Sequence, residues 1–227
     1  MSDIQLNYIE QGQGQPLILL HGNGEDNSYF VHQIDHFSND FRVLAIDTRG
    51  HGKSPRGEKP FTIVQFAEDL HDFMDEKGIA KANLLGFSDG GNIALTFALK
   101  YPERIDKMIV DGANLFPSGV KPLYQWPIEV GYRIAKLFSK KSEQAKRNTE
   151  MLGLMVNEPH IEPKELACLT MPVLVVAGTK DMIKESHTKL IYKNLPNAQL
   201  AILDGDHFVA NKNAEAFNKV VAEFLRK

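Results

Sequence analysis

Asn83-Leu84-Leu85-Gly86-Phe87-Ser88-Asp89-Gly90-Gly91-Asn92-Ile93 is the most informative stretch of this chain. A short strand-like run, Asn83–Leu85, leads into Gly86-Phe87-Ser88-Asp89-Gly90. Apolar residues at helical spacing follow at Ile93, Ala94, Phe97 and Ala98. A G-x-S-x-G segment between a strand and a helix is a nucleophile elbow. Its glycines serve a turn so sharp that side chains would strike neighbouring backbone. The turn lifts the Ser88 hydroxyl above the carboxyl end of a sheet, where open α/β folds bind ligands.

Similar short runs recur on both sides of the elbow. They are Leu17–Leu20, Val43–Ile46, Lys107–Val110, Val173–Ala177 and Gln199–Leu203, each closed by a turn signal. Their length and composition suit strands buried on both faces. Helical stripes lie between them: Ile63, Phe66, Ala67, Leu70, Phe73 and Met74 form one, and Ala214, Phe217, Val220, Val221 and Leu225 another. This alternation predicts an α/β fold with a mostly parallel twisted sheet flanked by helices. The alternating segment Ile4–Ile9 is expected to join the sheet edge as an antiparallel strand. From Phe116 to Leu166 no strand run appears. Helical patterns at Leu123–Phe138 and Ser142–Met155, broken by prolines, predict a small helical cap over residues 116–166, with 1–115 and 167–227 as the core. Tyr124, Trp126, Phe138, Leu152 and Met155 give that cap enough apolar surface for a pocket wall.

A serine hydroxyl is a weak nucleophile and needs a base. Eight histidines are available. His32, His36 and His71 fall on predicted helices, His187 in the helical region after Asp181, and His160 in the cap. His21 and His51 sit in glycine turns, where backbone is expected to matter more than the ring. His207, on the loop after the last predicted strand, is the best-placed base. Asp181, after Val173–Ala177 and Gly178-Thr179-Lys180, is the preferred acid to orient it, and Asp111 is the rival. Asp204 and Asp206 read as turn formers. Ser88, Asp181 and His207 follow the chain order of the G-x-S-x-G template. The oxyanion of a tetrahedral intermediate needs fixed N–H donors. The backbone N–H groups of Asp89 and Asn23 are the candidates, with Gly24 in reserve. Asp89, Gly24 and Trp126 are candidate substrate contacts.

The remaining composition is restrictive in what it excludes. The chain has 227 residues, 43% hydrophobic and 24% charged, with a net charge of −3. That balance gives no reason to expect nucleic acid or a membrane as partner. One cysteine, Cys168, allows no internal disulfide, and no secretory signal or long apolar span is visible, so a cytoplasmic protein is expected. No metal-ligand constellation or phosphate loop appears, so neither metal nor cofactor is expected. The oligomeric state is not legible.

The motifs together resemble the α/β-hydrolase superfamily. The matching marks are His21-Gly22-Asn23-Gly24, Asp47-Thr48-Arg49-Gly50-His51-Gly52-Lys53-Ser54, the elbow, Gly178-Thr179-Lys180-Asp181 and Gly205-Asp206-His207. The resemblance implies a structural role for Asp47, Arg49 and Ser54. It also implies acyl transfer by a Ser-His-Asp triad on a small ester or lactone. Two departures are a first hairpin reduced to one strand and a cap of only about fifty residues by this reading. Ser88-Asp89-Gly90-Gly91 and Asp111-Gly112-Ala113-Asn114 look like the valacyclovirase-like aminoacyl ester hydrolases, and the likeness to enol-lactonase-like hydrolases is as good. The former implies an Asp89 that attracts a substrate ammonium group; an Asp89 that only favours the helix N-terminus fits the same residues. Carbon–carbon bond hydrolysis, lyase or perhydrolase chemistry on the same triad, and a ligand receptor of the same fold, remain open.

Overall fold

The computed structural model describes residues 3–227. Seven strands form one sheet: β1 (Tyr8–Gln11), β2 (Pro16–Leu20), β3 (Arg42–Ile46), β4 (Ala82–Phe87), β5 (Ile105–Asp111), β6 (Val173–Gly178) and β7 (Ala198–Leu203). Their spatial order is β1-β3-β2-β4-β5-β6-β7, with β1 antiparallel to β3 and all other pairs parallel. The central strands are buried along nearly their whole length, as parallel strands covered on both faces must be. β7 departs from that expectation. It is an edge strand and mixes half-buried with exposed positions.

β1 begins later than the alternation of Ile4–Ile9 suggests. The Asp3 side chain and the Asn7 backbone are committed elsewhere, Asn7 N–H donating to Ser54 Oγ at 2.8 Å. Asp3 accepts from Arg49 and from the Glu58 and Lys59 N–H groups, and the Asn7 carbonyl accepts from Asp47 N–H. The Asp47–Ser54 turn is the structural knot expected of it. Asp47 accepts from Asn27 N–H, Lys53 N–H and the Asn7 amide, and buried Arg49 makes a bidentate pair with Asp69 at 2.6 and 2.7 Å.

Helices α1 (Val31–Phe37), α7 (Val209–Lys212) and α8 (Ala214–Arg226) cover one face of the sheet, through Ile34, Phe37, Phe217 and Val221. The other face carries α2 (Ile63–Glu76), α3 (Asp89–Lys100) and α6 (Glu185–Asn194). Every residue of the α2 stripe is buried, and so are the four apolar residues of α3 named above. Each fully buried side chain of the size of Phe97 contributes about 1.5–3 kcal/mol. Thr62 caps α2 by accepting from Gln65 N–H at 3.1 Å. Between β5 and β6 lie α4 (Pro122–Phe138) and α5 (Glu143–Asn157). α5 begins after Ser142, which accepts from Ala145 N–H. Among the described residues no helix is long and apolar enough to cross a membrane.

The junction of β4 and α3 positions everything at the carboxyl edge. Ser88 sits there at φ 52° and ψ −118°, the one positive-φ residue other than glycine among the described residues. Three glycines permit this. A Cβ on Gly86 would stand 2.2 Å from the Gly90 carbonyl oxygen. One on Gly90 would stand 1.9 Å from the Leu20 carbonyl oxygen, and one on Gly91 2.9 Å from the Ala113 Cβ. The helix therefore starts in contact with the end of β2, and no side chain fits between. Gly90→Ala must displace backbone. It is expected to cost about 2–3 kcal/mol and lower the melting temperature by roughly 5–10 °C. A thermal melt checks this, and an unchanged midpoint would contradict the close approach.

Candidate active site

Three loops at the carboxyl ends of β4, β6 and β7 bring Ser88, Asp181 and His207 together. His207 Nε2 lies 3.0 Å from Ser88 Oγ, and His207 Nδ1 lies 2.7 Å from Asp181 Oδ1. The imidazole thus bridges hydroxyl and carboxylate although the three residues are far apart in sequence. The ring is buried, with Phe87 at 4.9 Å and Phe208 at 5.6 Å between centroids. Asp181 is buried and held in place. Its Oδ1 also accepts from Ile183 N–H at 2.8 Å, and its Oδ2 from Gly178 N–H at 3.3 Å.

Asp111, the rival acid, ends β5 and lies fully buried with neither carboxyl oxygen hydrogen-bonded. Burial raises its pKa well above the ordinary value, and the neighbouring Asp181 raises it further. The residue after it explains how the ring reaches Asp181. A Cβ on Gly112 would stand 2.6 Å from His207 Cε1 and 2.8 Å from Nδ1. Only a glycine leaves that space for the imidazole.

The loop after β2 is braced on three sides. His21 is buried; its Nδ1 donates to the Gly22 carbonyl at 2.7 Å and its Nε2 accepts from Thr48 N–H at 3.0 Å, which fixes a neutral tautomer. Burial lowers its pKa in agreement with that. The ring of His21 therefore does more than the glycine turn around it suggests. Glu25 accepts from Gly22 N–H through Oε2 and returns its own N–H to the Gly22 carbonyl, both at 3.3 Å. Burial pushes the Glu25 carboxyl up to about 7. Asn23 Nδ2 donates to the Met151 carbonyl on α5 at 2.7 Å. Sequence inspection missed Glu25; its place three residues after Gly22 is the only trace, a turn-sized spacing.

At the start of α3, the Gly91 and Asn92 N–H groups are used on the Ser88 carbonyl, at 2.9 and 3.1 Å. The Asp89 N–H, two positions before Gly91, belongs to the unpaired first turn of the helix. The Asp89 side chain is buried beside Ser88. Its Oδ1 accepts from Asn92 at 3.2 Å, Oδ2 is buried without a hydrogen bond, and the Asn23 side chain lies near enough to favour the charged form. Burial pushes its pKa up to about 6, Asn92 opposes the rise and Glu158 adds to it. Both acids line a cavity of about 10 Å³ with Ser88, Asn114, Met155 and Met182. That is room for about one water-sized group. Glu158 also accepts from Ile63 N–H at 2.7 Å, at the start of α2.

Two expected contacts do not line this cavity. Trp126 is exposed on α4 and lines a separate groove with Pro117, Pro122 and Glu129. The stripe on α4 faces outward, so of the residues expected to wall a pocket Met155 on α5 lines this cavity and Trp126 does not. Gly24 faces Met151 instead, with a Cβ placed 3.9 Å from its Cε. No group of three or more metal-ligating side chains occurs among the described residues.

Comparison with known proteins agrees with this architecture. A model of the alpha/beta hydrolase fold family matches residues 15–149. Serine hydrolase BPHL from Homo sapiens is 30% identical over 252 residues, spanning 100% of this chain and 84% of that protein. A 2-hydroxy-6-oxononadienedioate/2-hydroxy-6-oxononatrienedioate hydrolase from Burkholderia vietnamiensis is 28% identical, over 100% of this chain and 92% of its own length. Among solved structures, the enol-lactonase from Burkholderia xenovorans aligns with a TM-score of 0.83 at 24% identity, over 99% of this chain and 97% of that one. The family match and the full-length relative, on top of the fold, make this chain a member of the alpha/beta hydrolase family and a hydrolase.

Proposed function

We propose that this protein cleaves small carboxylic esters or lactones through an acyl-enzyme on Ser88. The observation that carries the proposal is the unbroken hydrogen-bonded path Ser88 Oγ–His207–Asp181, at 3.0 and 2.7 Å. As Ser88 Oγ attacks the carbonyl carbon, His207 Nε2 takes the hydroxyl proton. Asp181 holds the ring and stabilises its cation. The tetrahedral intermediate collapses by breaking the carbon–oxygen bond to the leaving group, which departs with the proton from Nε2. Water, deprotonated by the same nitrogen, then attacks the acyl carbon and frees Ser88.

The oxyanion is assigned to the backbone N–H groups of Asp89 and Asn23. The positive end of α3 supports the first, and the bracing of the β2 loop by His21 and Glu25 supports the second. Each donor contributes about 3 kcal/mol to barrier lowering. No metal or cofactor takes part in this scheme.

For the substrate, the unpartnered Asp89 Oδ2 favours a cationic acyl group, such as that of an aminoacyl ester. An ammonium about 5 Å from the carboxylate gains roughly 3 kcal/mol at an effective dielectric of 20. Burial pushes the Asp89 carboxyl up to about 6, and a substrate cation beside it favours the charged form.

Four substitutions test this. Ser88→Ala is expected to lower p-nitrophenyl acetate turnover roughly 10,000-fold or more with a nearly unchanged melting temperature; retained activity would refute the nucleophile. Asp181→Asn should cost kcat about 10,000-fold, whereas Asp111→Asn should keep kcat within about tenfold and not lower stability, since it removes a buried carboxyl. The reverse order would make Asp111 the acid. Asp89→Asn should reduce kcat/KM roughly 100-fold for aminoacyl esters and only a few-fold for plain acyl esters. Equal losses would end the ammonium assignment.

A further inference from the structure

Helix α4 carries its apolar stripe on the side away from the protein. Leu123, Trp126, Ile134, Leu137 and Phe138 are 79, 70, 53, 76 and 53% exposed. At 3.6 residues per turn these positions fall along one face. The opposite side makes the packing. Gln125 and Ala135 are buried, Gln125 bonds the Met155 carbonyl on α5 at 3.3 Å, and Gly131 and Tyr132 meet Leu152 and Gly153 across the helix pair. So many large apolar side chains on one exposed stripe mark an interaction surface rather than scattered surface residues.

The charge beside the stripe selects the occupant. Residues 121–141 contain Lys121, Arg133, Lys136, Lys140 and Lys141 against a single acid, Glu129, in a chain of net charge −3. Among the described residues, Arg133, Lys136, Lys140 and Lys141 form no ion pair with a carboxylate; Lys136 leans over the Tyr132 ring at 5.4 Å. A second copy of the chain on a two-fold axis would set this basic row against itself. An anionic surface would neutralise it. Trp, Phe and Leu on one side of a helix with Lys and Arg beside them is the pattern of helices that lie in a lipid interface. The net charge of the whole chain averages this local excess away, which is why composition gives no hint of it.

We propose that α4 docks this protein on an anionic phospholipid surface, its apolar stripe at the boundary of headgroups and acyl chains and its basic residues against lipid phosphates. The docking is reversible and spans nothing. It is independent of the chemistry assigned to Ser88.

Trp126 is the chain's one tryptophan, so its fluorescence reports on α4 alone. The full chain is mixed with vesicles of phosphatidylcholine, or of phosphatidylcholine with about 30 mol% phosphatidylglycerol, and both binding by flotation and Trp126 emission are read. Expected are binding and a blue shift with the anionic vesicles, weakened by salt and much smaller with phosphatidylcholine alone. Leu137→Asp should weaken binding more than about tenfold, and Lys136→Glu with Lys140→Glu should remove its dependence on anionic lipid. Both variants keep turnover of a soluble ester, since neither site touches Ser88. Absence of binding, or binding without a blue shift, would overturn the proposal. So would a dimer in analytical ultracentrifugation that Leu137→Asp converts to monomer, because a second copy would then be the occupant.

Discussion

A Cβ at Gly90 would stand 1.9 Å from the Leu20 carbonyl oxygen, and this contact governs the rest of the site. It lets α3 begin against the end of β2. It places Ser88 at a φ that side chains seldom adopt, at a strain of about 1–3 kcal/mol. The strain persists because α3 is otherwise almost wholly buried, with Ile93, Ala94, Leu95, Phe97 and Ala98 in the sheet's core. The same contact brings the start of α3 beside the loop after β2, the two elements from which the oxyanion donors are proposed.

From there the arrangement propagates by hydrogen bonds. Ser88 Oγ meets His207, whose ring sits over Gly112, and the ring meets Asp181. The two neighbouring acids illustrate how environment divides roles between like groups. Asp181 accepts three N–H groups, including that of the imidazole, whereas Asp111 accepts none and burial holds it toward its neutral form. Asp89, also buried, lines the small cavity and has one oxygen engaged and one without a hydrogen bond. A buried carboxylate oxygen without a donor is costly unless a ligand supplies one, and that cost is the basis of the cationic acyl group proposed for the substrate.

Much of this was legible in the residues alone, for identifiable reasons. Strands of nearly continuous apolar sequence and the glycines of the elbow leave strong local signals, so the parallel sheet and the place of Ser88 are readable without coordinates. The positions of His207 and Asp181 after strands point to the place of Ser88, and the structure brings the three side chains within hydrogen-bond distance. What local pattern could not supply was direction. The α4 stripe shows that a helix has an apolar face but not which way the face turns, so the sequence points equally to Trp126 and Met155 as pocket wall, whereas only Met155 lines the cavity. The start of β1 was misplaced because the alternation of residues 4–9 competes with long-range bonds from Asp3 and Asn7 to the Asp47–Ser54 turn. The ring of His21 and the carboxylate of Glu25 brace a loop through partners invisible in a linear pattern.

The central claim is that the hydroxyl at the elbow is activated by the imidazole beside it. Labelling with a fluorophosphonate, followed by peptide mass mapping, tests it most directly. The account predicts a single adduct on Ser88 in the native chain and a labelling rate lowered by orders of magnitude in His207→Ala. An adduct on another residue alone, or labelling of Ser88 at the same rate without the imidazole, would contradict it.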